Sequence, residues 1–385
     1  MTKSLLIEGW RDLNHSYSLV NQYQLLELKK LDLNLYHHDV LPYRTEWNSE
    51  KNFSGFEHGS VESICNIGPL PHGASPDTTY RISYPYNLNP SKIGALFVFG
   101  TSEFQVVTDD MVTRADKVLP YKDSPLKIIT PSKWSEEGFL NAGFTSDQIE
   151  IVPHGVDFSI FRTLDPNLRA HFRSLLGATK DSFIILSIGA MTTNKGMDVL
   201  LDAYLQLKPR YPQIHLVLKD QSNLYRISGR DAVQLYCKER GIDPSSLAMS
   251  KIFSDIFLVS DNLNFDQLNS LYNAADCYVS PYRAEGFNLP PLEAAAAGVP
   301  IIVTKGGSTD DYVDPSFALQ IESKKLFQDG KYFLEPNVDS LVEKIDILIS
   351  KKNIQLNSDN ARLFLEKNFS WTAATQKLFK ILFNK

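Results

Sequence analysis

The sequence predicts an α/β protein with two lobes, each built around a mostly parallel sheet. The 385 residues exceed the usual size of a single hydrophobic core. Short β-rich segments alternate with helical patterns in both halves, as in sheets whose strands are joined by crossover helices. Two such lobes imply a cleft between them, at which a ligand could bind.

Five β-rich segments lie in the first half, with helical or loop-like stretches between them. They cover residues 4–8, 33–37, 95–100, 127–130 and 149–152. We interpret residues 42–86, which are rich in Gly, Pro, Ser, Asn and Tyr, as long loops on the cleft side. A boundary near Thr163 makes residues 1–163 the first lobe.

The second half has a clearer alternation, which predicts a doubly wound sheet. Its strand-like segments are residues 183–188, 215–218, 252–258, 277–280 and 299–303. Helices are expected at about 197–208, 229–240, 264–275, 292–297 and 338–350. Residues 164–368 therefore form the second lobe, and the helical pattern of residues 369–385 follows it.

Composition and charge exclude several classes of protein. Hydrophobic residues at 43% and charged residues at 22% are ordinary globular values, which excludes disorder and coiled coils. With a net charge of -6 and no basic stripe, a nucleic-acid partner is not expected. Three dispersed cysteines, Cys65, Cys237 and Cys277, fit neither a disulfide framework nor a zinc site.

The apolar segments indicate where the protein is expected to work. The apolar run near the start, residues 5–7, is too short for a signal peptide, and no stretch reaches the roughly 20 residues that span a bilayer. We therefore expect a cytoplasmic protein, with any membrane contact peripheral and at the inner face.

Charged residues follow three strands of the second lobe at their carboxyl ends, where open parallel sheets bind ligands. The first strand leads into the loop 189–196, which begins with Gly189 and carries Lys195. Lys219 directly follows the second strand. The strand 277–280 leads to Glu285 and then to Glu293 near a helix start. Two lysines and two carboxylates are therefore expected at one sheet edge.

This set of residues suits a sugar diphosphate. Phosphate oxygens are bound by ammonium groups and by the free N–H groups at a helix N-terminus. Hydroxyl-rich rings are bound by carboxylates, which accept strong charge-assisted hydrogen bonds. Glu285 and Glu293 could reach opposite ends of an extended ligand, so that one holds the sugar and the other the ribose.

Residues 285–293 read E-G-F-N-L-P-P-L-E and are followed by A-A-A-A-G-V-P. This pattern resembles the E-x7-E signature of retaining glycosyltransferases with the GT-B fold, specifically glycosyltransferase family 4. Supporting segments are T-P-S-K-W-S from residue 130, V-P-H-G-V-D from 152, K-G-M-D-V-L-L from 195 and L-Y-N-A-A-D from 271. The resemblance implies two Rossmann-like lobes facing across a cleft, with the C-terminal helix crossing back to the first lobe.

The resemblance also implies roles for individual residues. Glu285 would contact hydroxyls of the donor sugar, and Lys195 would neutralise the diphosphate as it leaves, which makes them the catalytic candidates. Glu293 would bind the ribose. The other donor-binding candidates in this lobe are Lys219, Gly189, Gly286, Phe287, Asn288 and Leu289.

The sequence departs from the family at one position in this site. The family usually has Arg where this chain has Ala190, which removes one of two expected cations. Lys219 or Arg283 could compensate, and the residues leave both possibilities open.

The first lobe is expected to hold the acceptor. Gly9 lies where the family places a loop that faces the donor phosphates, although this chain lacks the usual Gly-Gly pair. Glu103 follows the strand 95–100 and is a candidate on the acceptor side. His72 is a second candidate, with an ordinary surface loop as the alternative.

The predicted function is a retaining, metal-independent hexosyl transfer from a nucleotide sugar to a glycan, lipid-linked or protein acceptor in surface polysaccharide or glycoconjugate assembly. No D-x-D triplet occurs, and neither a metal nor a cofactor is expected. Uridine, guanosine and adenosine donors remain open, with UDP favoured. The alternative is a non-catalytic nucleotide-sugar-binding pseudoenzyme or partner subunit. A nucleotide-sugar 2-epimerase would share the two lobes but lacks the E-x7-E arrangement.

Overall fold

A computed structural model describes residues 2–13, 15–41, 55–91, 94–113, 125–350 and 358–383. The chain forms two compact α/β units, as the sequence predicts. The first unit comprises Met1–Gly155, Asp329–Lys331 and Asn368–Lys385, and the second comprises Val156–Gln328 and Tyr332–Lys367.

The division between the units falls at Gly155, earlier than the boundary expected near Thr163. The residues that follow Gly155 are hydrogen-bonded to the second unit. The Arg162 N–H donates to Asn269 Oδ1 at 3.2 Å, and the Leu164 N–H donates to Asn273 Oδ1 at 2.8 Å. These amide side chains lie on a helix of the second unit, which explains why the segment belongs there.

The first unit contains a six-stranded parallel sheet in the order β2-β1-β3-β5-β7-β8. Its strands, together with the short pair β4 and β6, are β1 (Lys3–Gly9), β2 (Leu33–Asp39), β3 (Thr78–Ile82), β4 (Tyr86–Asn87), β5 (Ala95–Phe99), β6 (Val112–Thr113), β7 (Lys127–Thr130) and β8 (Ile149–Ile151). Its helices before the boundary are α1 (Ser16–Leu28), α2 (His58–Cys65) and α3 (Lys133–Asn141). The five predicted strands of this half are all present.

The interpretation of residues 42–86 as loops is wrong for the helix α2 and for β3, which lies between β1 and β5 in the sheet. Residues 42–54 of that range lie outside the described residues. The strand looks polar in sequence, but its polar side chains have partners inside the fold. The Thr78 hydroxyl donates to the Leu382 carbonyl at 3.2 Å, and Arg81 pairs with Glu8 at 2.7 Å. These contacts satisfy the polar groups, so a strand without an apolar pattern can be buried.

The second unit contains a six-stranded parallel sheet in the order β11-β10-β9-β12-β13-β14. The strands are β9 (Phe183–Ile188), β10 (Ile214–Lys219), β11 (Ile256–Val259), β12 (Cys277–Ser280), β13 (Ile301–Thr304) and β14 (Ala318–Ile321). The helices are α4 (Pro166–Leu175), α5 (Met197–Leu207), α6 (Ser222–Tyr225), α7 (Gly229–Arg240), α8 (Leu247–Phe253), α9 (Phe265–Ala274), α10 (Leu289–Ala296), α11 (Val338–Ser350) and α12 (Ser358–Phe369).

Three strands of this half were not predicted. They are β14 and the neighbouring segments β15 (Ser323–Gln328) and β16 (Lys331–Pro336), which form a separate two-stranded sheet. Most side chains of β15 are exposed, so the strand has no alternating apolar pattern to reveal it. The β14 strand lies at the sheet edge beside β13.

An ion-pair network fixes α4 to the start of the central strands. Asp276 accepts hydrogen bonds from Arg169 at 2.7 Å and from Arg173 at 2.8 Å. The same carboxylate accepts from the Ile184 N–H at 2.8 Å, at the beginning of β9. Asp276, the last residue of the L-Y-N-A-A-D segment, therefore has a structural role. It lies at the amino ends of the strands, opposite the carboxyl ends at which a ligand is expected.

The C-terminal helix α13 (Trp371–Phe383) packs on α1 within the first unit. The Trp371 ring stacks on Tyr23 with a centroid separation of 4.7 Å. A Cβ atom at Gly155 would lie 2.4 Å from the backbone nitrogen of Trp371, so the chain passes this helix at a position that excludes a side chain.

No helix within the described ranges is both long and apolar enough to cross a membrane.

Candidate functional site

The order of the second sheet defines a switch point at which a ligand is expected. The chain runs from β9 outward through β10 and β11, then returns to the other side of β9 with β12. The loops that leave the carboxyl ends of β9 and β12 therefore diverge and leave a crevice between them. These loops cover residues 189–196 and 281–288, which carry the predicted site residues.

Lys195 and Glu285 meet at this switch point. The Lys195 ammonium group forms an ion pair with Glu285 Oε1. The Glu285 side chain is 7% exposed and the Lys195 side chain 23% exposed, so the carboxylate lies beneath a partly accessible cation. Gly189, with φ at 153°, passes close to the lysine stem, and a Cβ atom there would lie 3.7 Å from Lys195 Cε. The structure thus brings together the two predicted catalytic candidates.

Asn194 fixes the two loops to each other. Its carbonyl accepts from the Arg283 N–H at 2.7 Å, and its side-chain amide donates to the Ala284 carbonyl at 3.2 Å. Gly196 adopts a left-handed conformation with φ at 69°, and a Cβ atom there would lie only 1.9 Å from the Pro281 carbonyl oxygen. The residues adjacent to Lys195 are therefore locked against the strand that leads to Glu285.

Arg283 is committed to structural ion pairs. Its guanidinium donates two hydrogen bonds to Asp198, at 2.7 and 2.8 Å, and two to Glu335, at 3.1 and 2.9 Å. Burial lowers the Arg283 pKa, but the hydrogen bonds with these two carboxylates raise it more, so its net direction is upward. A fifth contact, to the Thr193 carbonyl at 3.2 Å, ties it to the first loop. Its charge is balanced within the protein.

Glu293 lies on α10 and is buried. Its Oε2 atom accepts a hydrogen bond from the Tyr272 hydroxyl at 2.7 Å. Burial raises the Glu293 pKa to about 7, while the tyrosine hydrogen bond lowers it. Glu285 and Glu293 both help to raise the pKa values of Tyr278 and Tyr312, after burial as the main cause, so the two carboxylates lie near the same hydroxyl groups.

The segment between the two carboxylates presents main-chain donors. Asn288 has a left-handed conformation, with φ at 71°, held by a hydrogen bond from its side chain to Ser280 Oγ at 3.0 Å and by one from the Tyr312 hydroxyl to its carbonyl at 2.7 Å. Within the described residues, the N–H groups of Asn288 and Leu289 have no protein acceptor. Asn288 is the N-cap of α10 and Leu289 its first residue, so the helix dipole favours an anion beside these N–H groups. The Phe287 ring is buried, with its centroid 5.2 Å from that of Tyr312.

Lys219 is the last residue of β10 and is buried. It lies beside Ile188 in the sheet register, and its carbonyl accepts from the Gly189 N–H at 3.0 Å. Its ammonium group donates to the Asp220 carbonyl, and in the described part of the chain it forms no ion pair. Burial lowers the Lys219 pKa, whereas Asp220 and Asp261 raise it to a smaller extent. The protein thus places a cation without a carboxylate ligand next to the loop that begins at Gly189.

Gly9 closes the strand β1 in the first unit. A Cβ atom at this position would lie 2.4 Å from the Ile82 carbonyl oxygen, so close packing of β1 on β3 already requires glycine here. The next residues, Trp10 and Arg11, are held by hydrogen bonds to the Leu41 carbonyl at 3.1 Å and to Asp39 at 2.8 Å. The suggested contact with donor phosphates stays a prediction.

The two acceptor-side candidates have different surroundings. Glu103 is exposed and follows the carboxyl end of β5, and its carbonyl accepts from the Trp134 indole at 2.7 Å. His72 is exposed in a turn of the segment that leads into β3, away from the carboxyl end of that strand. The position of His72 favours the surface-loop alternative, because ligands of parallel sheets bind at the carboxyl ends.

Tyr272 and Asn194 are the residues of this site that sequence reasoning missed. Tyr272 belongs to the L-Y-N-A-A-D segment, but nothing in that segment indicates its hydrogen bond to Glu293. Asn194 precedes Lys195 in a loop and gives no local signal of its cross-loop hydrogen bonds.

Within the described residues, no group of three or more His, Cys, Asp or Glu side chains could hold a metal ion.

Comparisons with curated proteins show relatives that carry out glycosyl transfer. A D-inositol 3-phosphate glycosyltransferase from Arthrobacter sp. (strain FB24) is 30% identical over 216 residues, covering 55% of this chain and 47% of that protein. A lipopolysaccharide 1,2-N-acetylglucosaminetransferase from Salmonella typhimurium is 23% identical over 257 residues, covering 66% of this chain and 61% of that protein. The chain therefore spans about half the length of the curated relatives it matches.

A solved structure shares the fold over the whole chain. HepE from Anabaena, determined in complex with UDP and glucose, has a TM-score of 0.67 and 14% sequence identity, with 100% of each chain covered. This similarity confirms the GT-B fold predicted from the sequence. The sequence profile of the family described as "Glycosyl transferases group 1" matches residues 169–362, just over half of the chain. That match shows that the chain belongs to the glycosyl transferases group 1 family.

Proposed function

We propose that this protein is a retaining, metal-independent glycosyltransferase of family 4 that binds a nucleotide sugar in its second lobe. The observation that carries the proposal is the Lys195–Glu285 ion pair at the switch point of the sheet, with buried Glu293 farther along the same segment. A cation, a sugar-binding carboxylate and a ribose-binding carboxylate are the groups that such a donor requires. UDP is the favoured nucleotide, which is also the one bound by HepE.

Binding of the donor would exchange the partners of Lys195 and Glu285. The diphosphate would take the ammonium group of Lys195, and Glu285 would then be able to accept hydrogen bonds from sugar hydroxyls. The exchange replaces one charged contact with two, and it couples phosphate binding to sugar orientation. The N–H groups of Asn288 and Leu289 would add main-chain donors to the same ligand.

The reaction would depend on stabilising the leaving diphosphate. As the bond between the anomeric carbon and the phosphate oxygen breaks, negative charge develops on that oxygen, and Lys195 and the start of α10 would stabilise it. The sugar would become oxocarbenium-like, and an acceptor hydroxyl would attack from the leaving-group face and pass its proton to the departing phosphate oxygen, so that the anomeric configuration is retained. The absence of a D-x-D triplet in the sequence supports a diphosphate held by protein cations.

Lys219 would supply the second cation that Ala190 does not provide. Of the two candidates, Arg283 is balanced by Asp198 and Glu335, whereas Lys219 has no ion pair among the described residues. Lys219 also lies directly beside the loop that carries Lys195. A buried ammonium group without a carboxylate ligand is costly, and an anionic ligand would offset that cost.

The first lobe would hold the acceptor, with Glu103 as its candidate contact. A glycan, lipid-linked or protein acceptor in surface polysaccharide or glycoconjugate assembly fits a cytoplasmic enzyme that works at the inner face of a membrane. The Salmonella relative, whose name specifies lipopolysaccharide, supports an acceptor of this class.

The test is an assay of nucleotide diphosphate release from UDP-, GDP- and ADP-sugars, without added metal and again with EDTA. Release from one donor that is insensitive to EDTA and abolished by Glu285→Ala is the expected result. Glu343→Ala, which changes an exposed carboxylate on α11, serves as the matched control and should retain full activity. Release that survives Glu285→Ala would refute the assignment of the site.

A non-catalytic nucleotide-sugar-binding protein is the second candidate, and Ala190 is the observation that favours it. If Lys219 does not replace the missing arginine, the site would bind a donor without stabilising its leaving group. Tight binding of a nucleotide sugar with no release from any donor, in the presence of candidate acceptors, is the outcome that would support this alternative.

A further inference from the structure

We propose that Tyr272 is a positioning residue for the ribose of the nucleotide, acting through the carboxylate of Glu293. The inference rests on the proposed function, because it needs a nucleotide in the second lobe. It adds a residue on α9 to a site whose other parts lie on the loops after β9 and β12 and on α10.

The contact between Tyr272 and Glu293 joins two helices inside the second lobe. The Tyr272 hydroxyl donates to Glu293 Oε2 at 2.7 Å, and both side chains are buried. The Tyr272 ring is itself held edge-on by Phe161 and Tyr278, with centroid separations of 6.0 and 5.9 Å. The hydroxyl therefore has a fixed position, and it fixes one oxygen atom of the carboxylate.

The other oxygen of Glu293 is left for a ligand. Among the described residues, Oε1 accepts no hydrogen bond, while Oε2 is held by Tyr272. Each carboxylate oxygen has two lone pairs, so Oε1 can accept from ribose hydroxyls while Oε2 keeps its bond from Tyr272. By holding Oε2, Tyr272 sets the rotation of the carboxylate and leaves Oε1 free to accept. Loss of the phenol hydroxyl would let the carboxylate rotate away.

The same hydrogen bond partly opposes the effect of burial on the pKa of Glu293. Three tyrosines face Glu293, namely Tyr272 from α9, Tyr278 from β12 and Tyr312 after β13. Glu285 lies near Tyr278 and Tyr312. Burial raises the pKa values of all three tyrosines, so they stay neutral near pH 7. Burial also raises the Glu293 pKa to about 7, and the Tyr272 hydrogen bond lowers it. Without the hydroxyl, the Glu293 pKa would rise, and the carboxylate would form only at higher pH.

The experiment is calorimetric titration of the full chain with UDP, GDP and ADP from pH 5.5 to pH 9, followed by the 2′,3′-dideoxy form of the nucleotide that binds. Tyr272→Phe removes only the hydroxyl. Tyr278→Phe is the matched control, because its hydroxyl donates to the Ile188 carbonyl at 3.1 Å and not to Glu293. Thermal melts of both variants report whether the fold is retained.

The expected result for Tyr272→Phe is a loss of about tenfold in nucleotide affinity at pH 9, corresponding to one hydrogen bond to a charged group. The pH at which affinity falls should move upward relative to wild type, and binding of the dideoxy nucleotide should be unchanged. The Tyr278→Phe control should keep the wild-type midpoint.

Two failures are distinguishable. If wild type binds the nucleotide but Tyr272→Phe has the same pH midpoint, or loses affinity equally for the dideoxy form, Tyr272 is only structural and the inference is wrong. If wild type binds none of the three nucleotides, the proposed function fails and this inference fails with it.

Discussion

Replacing Gly196 by alanine should disrupt the contact that locks the two site loops. At this position φ is 69° and ψ is 34°, and an added Cβ atom would lie 1.9 Å from the Pro281 oxygen and 2.9 Å from its carbonyl carbon. The neighbour is main chain rather than a flexible side chain, so either the loop 189–196 or the segment after β12 must shift. A shift there would separate Lys195 from Glu285.

Gly241 provides a matched control for the size of the effect. Its φ of 63° and ψ of 29° nearly equal those of Gly196, but no atom lies within 4 Å of an added Cβ. The left-handed conformation costs a non-glycine residue roughly 1–2 kcal/mol, and this cost applies to both variants. Overpacking adds about 1–3 kcal/mol at Gly196 alone. The expected difference in the free energy of unfolding between the variants is therefore about 1–3 kcal/mol.

The assay is urea unfolding followed by far-ultraviolet circular dichroism. Tryptophan fluorescence would not report unfolding of the second unit, because all four tryptophans lie outside it. Nucleotide diphosphate release is measured on the same preparations. We expect Gly196→Ala to lose at least tenfold in release, since small displacements of catalytic groups are costly, and Gly241→Ala to keep it. Equal destabilisation by the two substitutions, with equal activity, would refute the loop-locking role of Gly196.

Three further substitutions probe the same lobe. The Glu293 pKa is raised from 4.5 to about 7, so the protonated carboxyl stabilises the fold fully below pH 4.5 and this contribution is lost as pH rises through 7. The free energy of unfolding of Glu293→Gln, relative to that of wild type, should therefore rise by about 3 kcal/mol between pH 4 and pH 8. A difference between the two proteins that stays constant with pH in urea titrations would contradict this. Lysine at position 283 cannot bind Asp198 and Glu335 together, so Arg283→Lys should lower the free energy of unfolding. The expected loss is about 2–3 kcal/mol, a figure that already allows for the partial exposure of the two carboxylates. If Arg283 were instead a phosphate ligand, lysine would preserve stability and alter donor affinity. Asp276→Asn breaks the network at the opposite sheet edge and should lower the melting temperature without changing the KM for the donor.

Local sequence patterns predicted the strands with apolar character and the loops that follow them. The runs ending at Ile188 and Ser280 have buried side chains in every central position, so periodicity and turn residues identified them. The β3 strand was missed because Thr78 and Arg81 are satisfied by partners far away in sequence. Burial of such residues depends on tertiary hydrogen bonds, which no local window contains.

The candidate site followed from the strand order, but its internal contacts did not. Topology places the residues after β9 and β12 together, so the meeting of Lys195 and Glu285 was expected. The commitment of Arg283 to two carboxylates was not, because Glu335 comes from a strand that the sequence did not reveal. The contact of Tyr272 with Glu293 likewise joins two helices whose relative rotation only the folded structure gives.

The placement of the donor diphosphate at Lys195 is tested most directly by the affinity of Lys195→Ala for two ligands. One is the nucleotide diphosphate that binds wild type, and the other is the corresponding nucleoside, which lacks phosphate. Lys238→Ala, on the exposed face of α7, is the control. We predict that Lys195→Ala loses at least tenfold in affinity for the diphosphate, with nucleoside binding unchanged and the control equal to wild type. Equal affinity of wild type and Lys195→Ala for the diphosphate would contradict the placement of the donor at this ion pair.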